Sequence, residues 1–305
     1  MTTMADLVAE VRSMLSGSMG DELTTLSEPY IAGSGLLNFQ YAKRAMSAGA
    51  TLSVGLNTFY VLEVASQGAQ AVVLPSYDGG PDADAPLGSI VRVKPRFTNW
   101  AIFRELSQEF ATMSSPTSGI YSAQWFASPV DWSYGVYDLP DIYGDPIRLI
   151  RSRAQISGTT EWQPINSAEW QPEQRAVKTA DIPDGASLVE FTFAMPFGAP
   201  ASLEDELSDL GLPPEAEDIP TLGACVGLSL SGESRRAQPY AQGDTRRAEE
   251  VPIGASTSIS REFSRAYRSR LNDEAARLLS VYGYYSQVAS MRDGRTVGSG
   301  TVGYL

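Results

Sequence analysis

The sequence predicts a mainly β, α+β protein in which two small antiparallel β modules, each a barrel or sandwich, are joined by a helix. An N-terminal helix precedes them and a helical part follows. Three observations carry this. Residues 51–93 and 120–195 hold short runs rich in β-branched and aromatic residues, separated by Gly, Pro and Asp turns. Between these stretches, Thr98 to Met113 changes to steps of three and four. The same helical spacing returns from Thr257 to Tyr282.

Residues 1–48 form the N-terminal helix and arm. Leu7, Val8, Val11, Met14 and Leu15 fall on one helical face, which suits either packing on the chain's own body or docking on a neighbour. Residues 21–48 show no clear period. The first β module, 49–97, has strands at 51–54, 58–64, 70–74 and 89–93. Its turn from Asp78 to Asp84 has the acids of a calcium loop, but Ala83 and Ser89 stand where such a loop needs Gly and Glu, so an acidic turn is expected.

Thr98 can cap a connecting helix, 98–115, whose stripe is Ile102, Phe103, Leu106, Phe110 and Met113, and which should pack on both β modules. The second module, 116–200, ends in a run where Val189, Phe191, Phe193 and Met195 alternate with Glu190 and Thr192, as in a half-buried strand. Two segments in it repeat, Glu161-Trp162-Gln163-Pro164 and Glu169-Trp170-Gln171-Pro172. Trp162 and Trp170 could stack on a sugar, or could cap one edge of the sandwich. An acidic linker, 201–220, follows and suggests a short acidic helix and then a Pro213-Pro214 break.

The helical C-terminal part, 221–283, opens behind Asp218-Ile219-Pro220, a helix-start signal. It closes with a long helix whose stripe runs through Ile259, Phe263, Tyr267, Leu271, Leu278 and Tyr282, and which Gly283 ends. Residues 284–305, rich in Gly, Ser and Thr, form an extended tail, either disordered or added as a strand to a neighbour.

Composition removes whole classes of chemistry. The 305 residues contain no His and one Cys, so there is no Ser-His-Asp arrangement, no His metal site and no intrachain disulfide. Cys225, in an apolar run, is expected to be a small buried hydrophobe. No G-x-S-x-G elbow or Walker loop is present, and no run reaches the roughly 18 apolar residues of a membrane span. These observations predict a protein that is not an enzyme and needs no cofactor or metal. A glycoside hydrolase working through paired carboxylates ranks behind structural and binding roles.

The net charge of -13 is unevenly placed: residues 231–283 hold nine Arg against seven acids, while residues 1–230 hold twelve basic residues against twenty-eight acids. Such a chain suits basic helices facing an acidic partner better than sequence-specific DNA binding.

Several motifs together resemble a known family. They are Asp218 to Ala224 (DIPTLGA), the Arg-rich middle, Arg247 to Gly254 (RAEEVPIG), and Glu274 to Leu278 (EAARL). Earlier in the chain stand Leu15 to Ser18, Phe59 to Val64, Val91 to Phe97 and Ser114 to Tyr121. The combination resembles neck, or head-to-tail connector (adaptor), structural proteins of tailed actinobacteriophages. One departure is that Pro75 to Pro81 replaces the Arg-Gly and Gly-Thr turn, with its His, that these β modules carry. The resemblance implies a virion location and a ring of about a dozen identical subunits between a portal protein and a tail or stopper protein. DNA would pass without specific binding, and no membrane would be involved. The residues expected to dock on the portal or a neighbour are Arg235, Arg236, Arg246, Arg247, Arg261, Arg265 and Arg268, with Phe263, Tyr267 and Leu271. Tyr267 and Tyr282 lengthen the apolar stripe beyond what one subunit needs. A tail-tip or glycan-binding receptor protein is the alternative.

Overall fold

A computed structural model describes residues 2–16, 21–40, 47–65, 69–115, 118–140, 144–236 and 255–282. The chain divides into two compact units. The first comprises Met1–Met113 with Gly198–Leu271, and the second Ser114–Phe197 with Asn272–Leu305. The second β module is therefore inserted into the first unit rather than following it in series. Where the chain enters and leaves the insertion, the Phe197 amide donates to the Ser114 hydroxyl at 3.0 Å.

In the first unit β1 (Glu22–Thr25), β2 (Leu36–Asn38), β3 (Thr51–Val54), β4 (Asn57–Ala65), β5 (Gln70–Pro75) and β6 (Ile90–Val93) form one antiparallel sheet in the order β1-β6-β3-β4-β5-β2. Its two outer strands meet just beyond their ends, where Leu26 bridges Phe39 and the Gln40 amide donates to the Thr25 carbonyl at 2.8 Å. The sheet thus curls into a barrel around Leu37, Leu52, Phe59, Val61 and Val91. Residues 21–40 supply β1 and β2, which at four and three residues are too short to show a period of two.

The acidic turn acts as a clasp. Asp82 accepts from the Tyr30 hydroxyl at 2.8 Å and the Gly33 amide at 2.9 Å, and Asp84 accepts from the Ala32 amide at 2.8 Å. Burial and Asp82 push the Tyr30 phenol up to about 12.

Three helices pack beside the barrel: α1 (Met4–Ser16), α2 (Asn99–Met113) and α3 (Asp218–Arg236). Thr98 caps α2 as expected, its hydroxyl accepting from the Ala101 amide at 3.1 Å. Within the first unit α2 makes its main contacts with α1, α3 and β4. Its close approach to α3 relies on Gly223, where a Cβ would stand 2.3 Å from the Glu109 carboxyl carbon.

The 201–212 segment forms turns rather than the expected acidic helix. Asp205 accepts from the Ala201 and Ser202 amides at 2.7 and 3.0 Å, and this local bonding competes with helix formation. The Leu203 and Asp205 carbonyls accept from the Ala5 and Met4 amides, which ties the segment to the start of α1. Leu207 and Leu212 are buried, so the stretch is part of the first unit rather than a linker.

In the second unit β10 (Trp162–Pro164), β9 (Arg148–Ile156), β13 (Ala186–Met195) and β7 (Ser122–Pro129) pair in that order. β11 (Glu169–Gln171), β12 (Ala176–Lys178) and β8 (Val136–Asp138) form a second sheet. Tyr137 and Val177 share one apolar cluster with Val189, Phe191 and Phe193, as in a sandwich. β13 departs from the expected half-buried strand, because Glu190 and Thr192 are buried as well. Arg153 holds Glu190 through two hydrogen bonds of 2.8 and 3.0 Å, and Arg151 adds an ion pair at 3.5 Å, so polar side chains cover the strand's second face.

Candidate interaction surface

The long C-terminal helix, α4 (Ala255–Tyr282), was expected to offer its apolar stripe to neighbours. Much of that stripe is instead used within the chain. The Tyr267 hydroxyl donates to the Glu109 carboxylate of α2. One turn on, Arg270 forks onto Asp218 at 2.6 and 2.9 Å, at the start of α3, and donates to the Glu215 carbonyl at 2.8 Å. Phe263 and Leu271 are half-buried. Further along, Leu278 is buried, and the Tyr282 ring lies 5.4 Å from the Arg151 guanidinium. The view of Tyr267 and Tyr282 as surplus surface is therefore corrected: each has a polar partner in its own subunit that the spacing of the helix could not disclose.

Glu109 is held against Gly223 on one side and Tyr267 on the other. Burial pushes its carboxyl above the ordinary value, the Tyr267 hydrogen bond pulls it back down, and the nearby Glu105 pushes it up again. Burial and the Glu109 charge push the Tyr267 phenol up. A carboxyl that titrates higher when folded favours the fold in its protonated form. That contribution is complete below the unfolded value and is lost as pH rises through the folded one. Glu109→Gln keeps an acceptor for Tyr267 and removes the titration. Its melting temperature should change less than the wild type's between about pH 4 and 8, which thermal unfolding across that range would check. Cys225 is fully buried and its thiol is pushed up to about 12 by burial, as suits a small core residue.

On α4, Arg261, Arg265 and Arg268 recur at steps of four and three and share a face with Ser264. All three guanidinium groups are exposed, and none has an ion-pair partner among the described residues. Arg246 and Arg247 lie outside the described residues, as do the side chains of Arg235 and Arg236 and the 284–305 tail.

The two Trp of the repeat serve the sandwich. Arg153 covers the Trp162 ring at 4.3 Å, while Trp170 packs edge-on against Phe193 at 5.1 Å. They sit on different sheets, and each ring has a partner within the sandwich. The exposed aromatic residues lie elsewhere. In the turn from Asp131 to Gly135, Trp132 is 57% and Tyr134 81% exposed. In the sequence, the visible sign of this turn is an aromatic pair bracketed by Asp and Gly.

No helix among the described residues is long and apolar enough to cross a membrane, and no group of three or more His, Cys, Asp or Glu there could hold a metal ion. No family model matches the chain, and no curated protein matches it. Among solved structures, it is similar to a chain from the neck of an empty GTA particle computed with C6 symmetry. That likeness has 18% identity and a TM-score of 0.20, over 42% of this chain and 66% of the other.

Proposed function

We propose that this protein is a non-enzymatic virion subunit of a tailed phage, a head-to-tail connector that forms a ring of identical copies between portal and tail. The sequence resemblance supports the class. The observation that carries the interaction is α4, whose inner side is tied down by Tyr267 and Arg270 while Arg261, Arg265 and Arg268 stand outward without acidic partners among the described residues. Exposed charge of one sign on a fixed helix steers partners and sets orientation more than it stabilises the fold. The portal and a tail or stopper protein are the further partners in this reading, and the 284–305 tail would extend onto a neighbour.

Replacing Arg261, Arg265 and Arg268 together by Glu reverses the charge of the face. The variant should keep the wild-type circular dichroism, with each exchange changing the unfolding free energy by no more than about 0.5 kcal/mol, since all three side chains are exposed. It should fail to yield tailed, infectious particles. Normal particle yield would make α4 an internal strut and defeat the proposal, as would turnover of peptidoglycan or polysaccharide that is lost on changing one carboxylate.

A further inference from the structure

The turn at residues 131–135 is built to hold its aromatic side chains out. Asp131 Oδ1 accepts from the Ser133 amide at 2.8 Å and the Tyr134 amide at 3.4 Å, and the Asp131 amide donates to the hydroxyl of buried Tyr137 at 3.0 Å. Gly135, at φ +59, lies so close to β12 that its carbonyl accepts from the Thr179 amide at 2.8 Å. A turn fixed at this many points does not collapse to bury Trp132 and Tyr134, and neither ring has a ring or cation contact among the described residues. Two large rings exposed on a turn held by the Asp131 carboxylate form an anchor for a cationic partner.

The chain carries such a partner itself. Arg261, Arg265 and Arg268 are a row of exposed guanidinium groups that make no ion pair among the described residues. Arginine over an aromatic ring is also a pairing this protein already uses: Arg148 over Tyr121 at 5.7 Å, Arg151 over Tyr282 at 5.4 Å and Arg153 over Trp162 at 4.3 Å. We infer that the Trp132–Tyr134 turn of one copy docks on the Arg261–Arg268 face of the next. The occupant is thus a second copy of this chain, matched by charge and by cation–π chemistry. Two different surfaces meeting in this way make a head-to-tail contact, which propagates from copy to copy and closes into a ring when the rotation allows. The inference rests on the proposed ring and names the surfaces that join it.

Sedimentation of three proteins tests it: the wild type, a loop variant with Trp132→Ala and Tyr134→Ala, and a face variant with Arg261→Glu, Arg265→Glu and Arg268→Glu. The wild type should self-associate, and each variant alone should do so at least about tenfold more weakly. Mixed in equal amounts, the two variants should form dimers and stop there, because each supplies the one surface the other lacks. A loop variant with Trp132→Phe and Tyr134→Phe should recover most of the association. Unchanged far-ultraviolet circular dichroism and an unchanged melting temperature show that the sandwich is intact in each case. If the loop variant assembles into rings like the wild type, or if the mixture stays monomeric, this contact is wrong while the ring stands. A wild type that remains monomeric at its highest soluble concentration overturns both.

Discussion

Arg12→Ala is expected to lower the stability of the first unit by about 3–5 kcal/mol, the usual loss when one partner of a buried ion pair is removed. The Arg12 side chain leaves α1 and ends in a buried site. Its guanidinium donates to Asp21 at 2.7 Å, to the Phe97 carbonyl at 2.9 Å and to Asn99 Oδ1 at 2.5 Å. Burial and the neighbouring Arg92 disfavour its charge, and Asp21 favours it. Truncation therefore leaves a carboxylate with 8% side-chain exposure without its closest cation, since Arg92 reaches it only at 3.5 Å. It also removes a donor from the residue that leads into α2 and detaches α1 from it. Arg12→Lys keeps the charge but loses the fork, so a smaller loss is expected. Denaturant unfolding of both variants checks this. A loss for Arg12→Ala below about 1 kcal/mol would mean that water replaces the guanidinium and that the site is not an anchor.

Gly135→Ala should be nearly as costly to the second unit, at about 2–5 kcal/mol. Its φ of +59 penalises any L side chain by about 1–2 kcal/mol, and the new Cβ would stand 2.3 Å from the Thr179 carbonyl oxygen, so backbone must move. That movement strains the pairing of β8 with β12, where Val136 lies opposite Lys178. Gly158→Ala is the control. Its φ is +75 but its Cβ would meet nothing within 4 Å, so it reports the conformational cost without the collision. Thermal unfolding should show the Gly135 variant melting well below the Gly158 variant. Equal melting points would mean that the β12 backbone relaxes freely around the turn.

Both sites show where the sequence was opaque. Arg12 reads as one more polar residue on a short amphipathic helix, and its partners are 9, 85 and 87 residues away. Gly135 reads as a turn glycine, and what makes it hard to replace is the Thr179 carbonyl just past β12, 44 positions on. The Arg face of α4 was legible, because steps of three and four place side chains on one helical face whatever surrounds them. The fate of the opposite face was not, because Glu109 and Asp218 belong to other helices.

By itself the sequence determined what depends on neighbours along the chain. Strand and helix type followed from hydrophobic period, as in β3, β4 and α2. The start of α2 followed from Thr98, and the absence of His-based chemistry from composition. The tertiary structure alone decided what depends on neighbours in space. It closed the barrel with β1 and β2, whose three or four residues carry no period. It folded the acidic 201–212 segment into turns through Asp205 and the start of α1. It covered the second face of β13 with Arg153 and Arg151, turned Tyr267 inward onto Glu109, and left Trp132 and Tyr134 exposed. The physical reason is range: a local pattern sets which conformation a segment prefers, while burial and pairing depend on surfaces that distant segments provide.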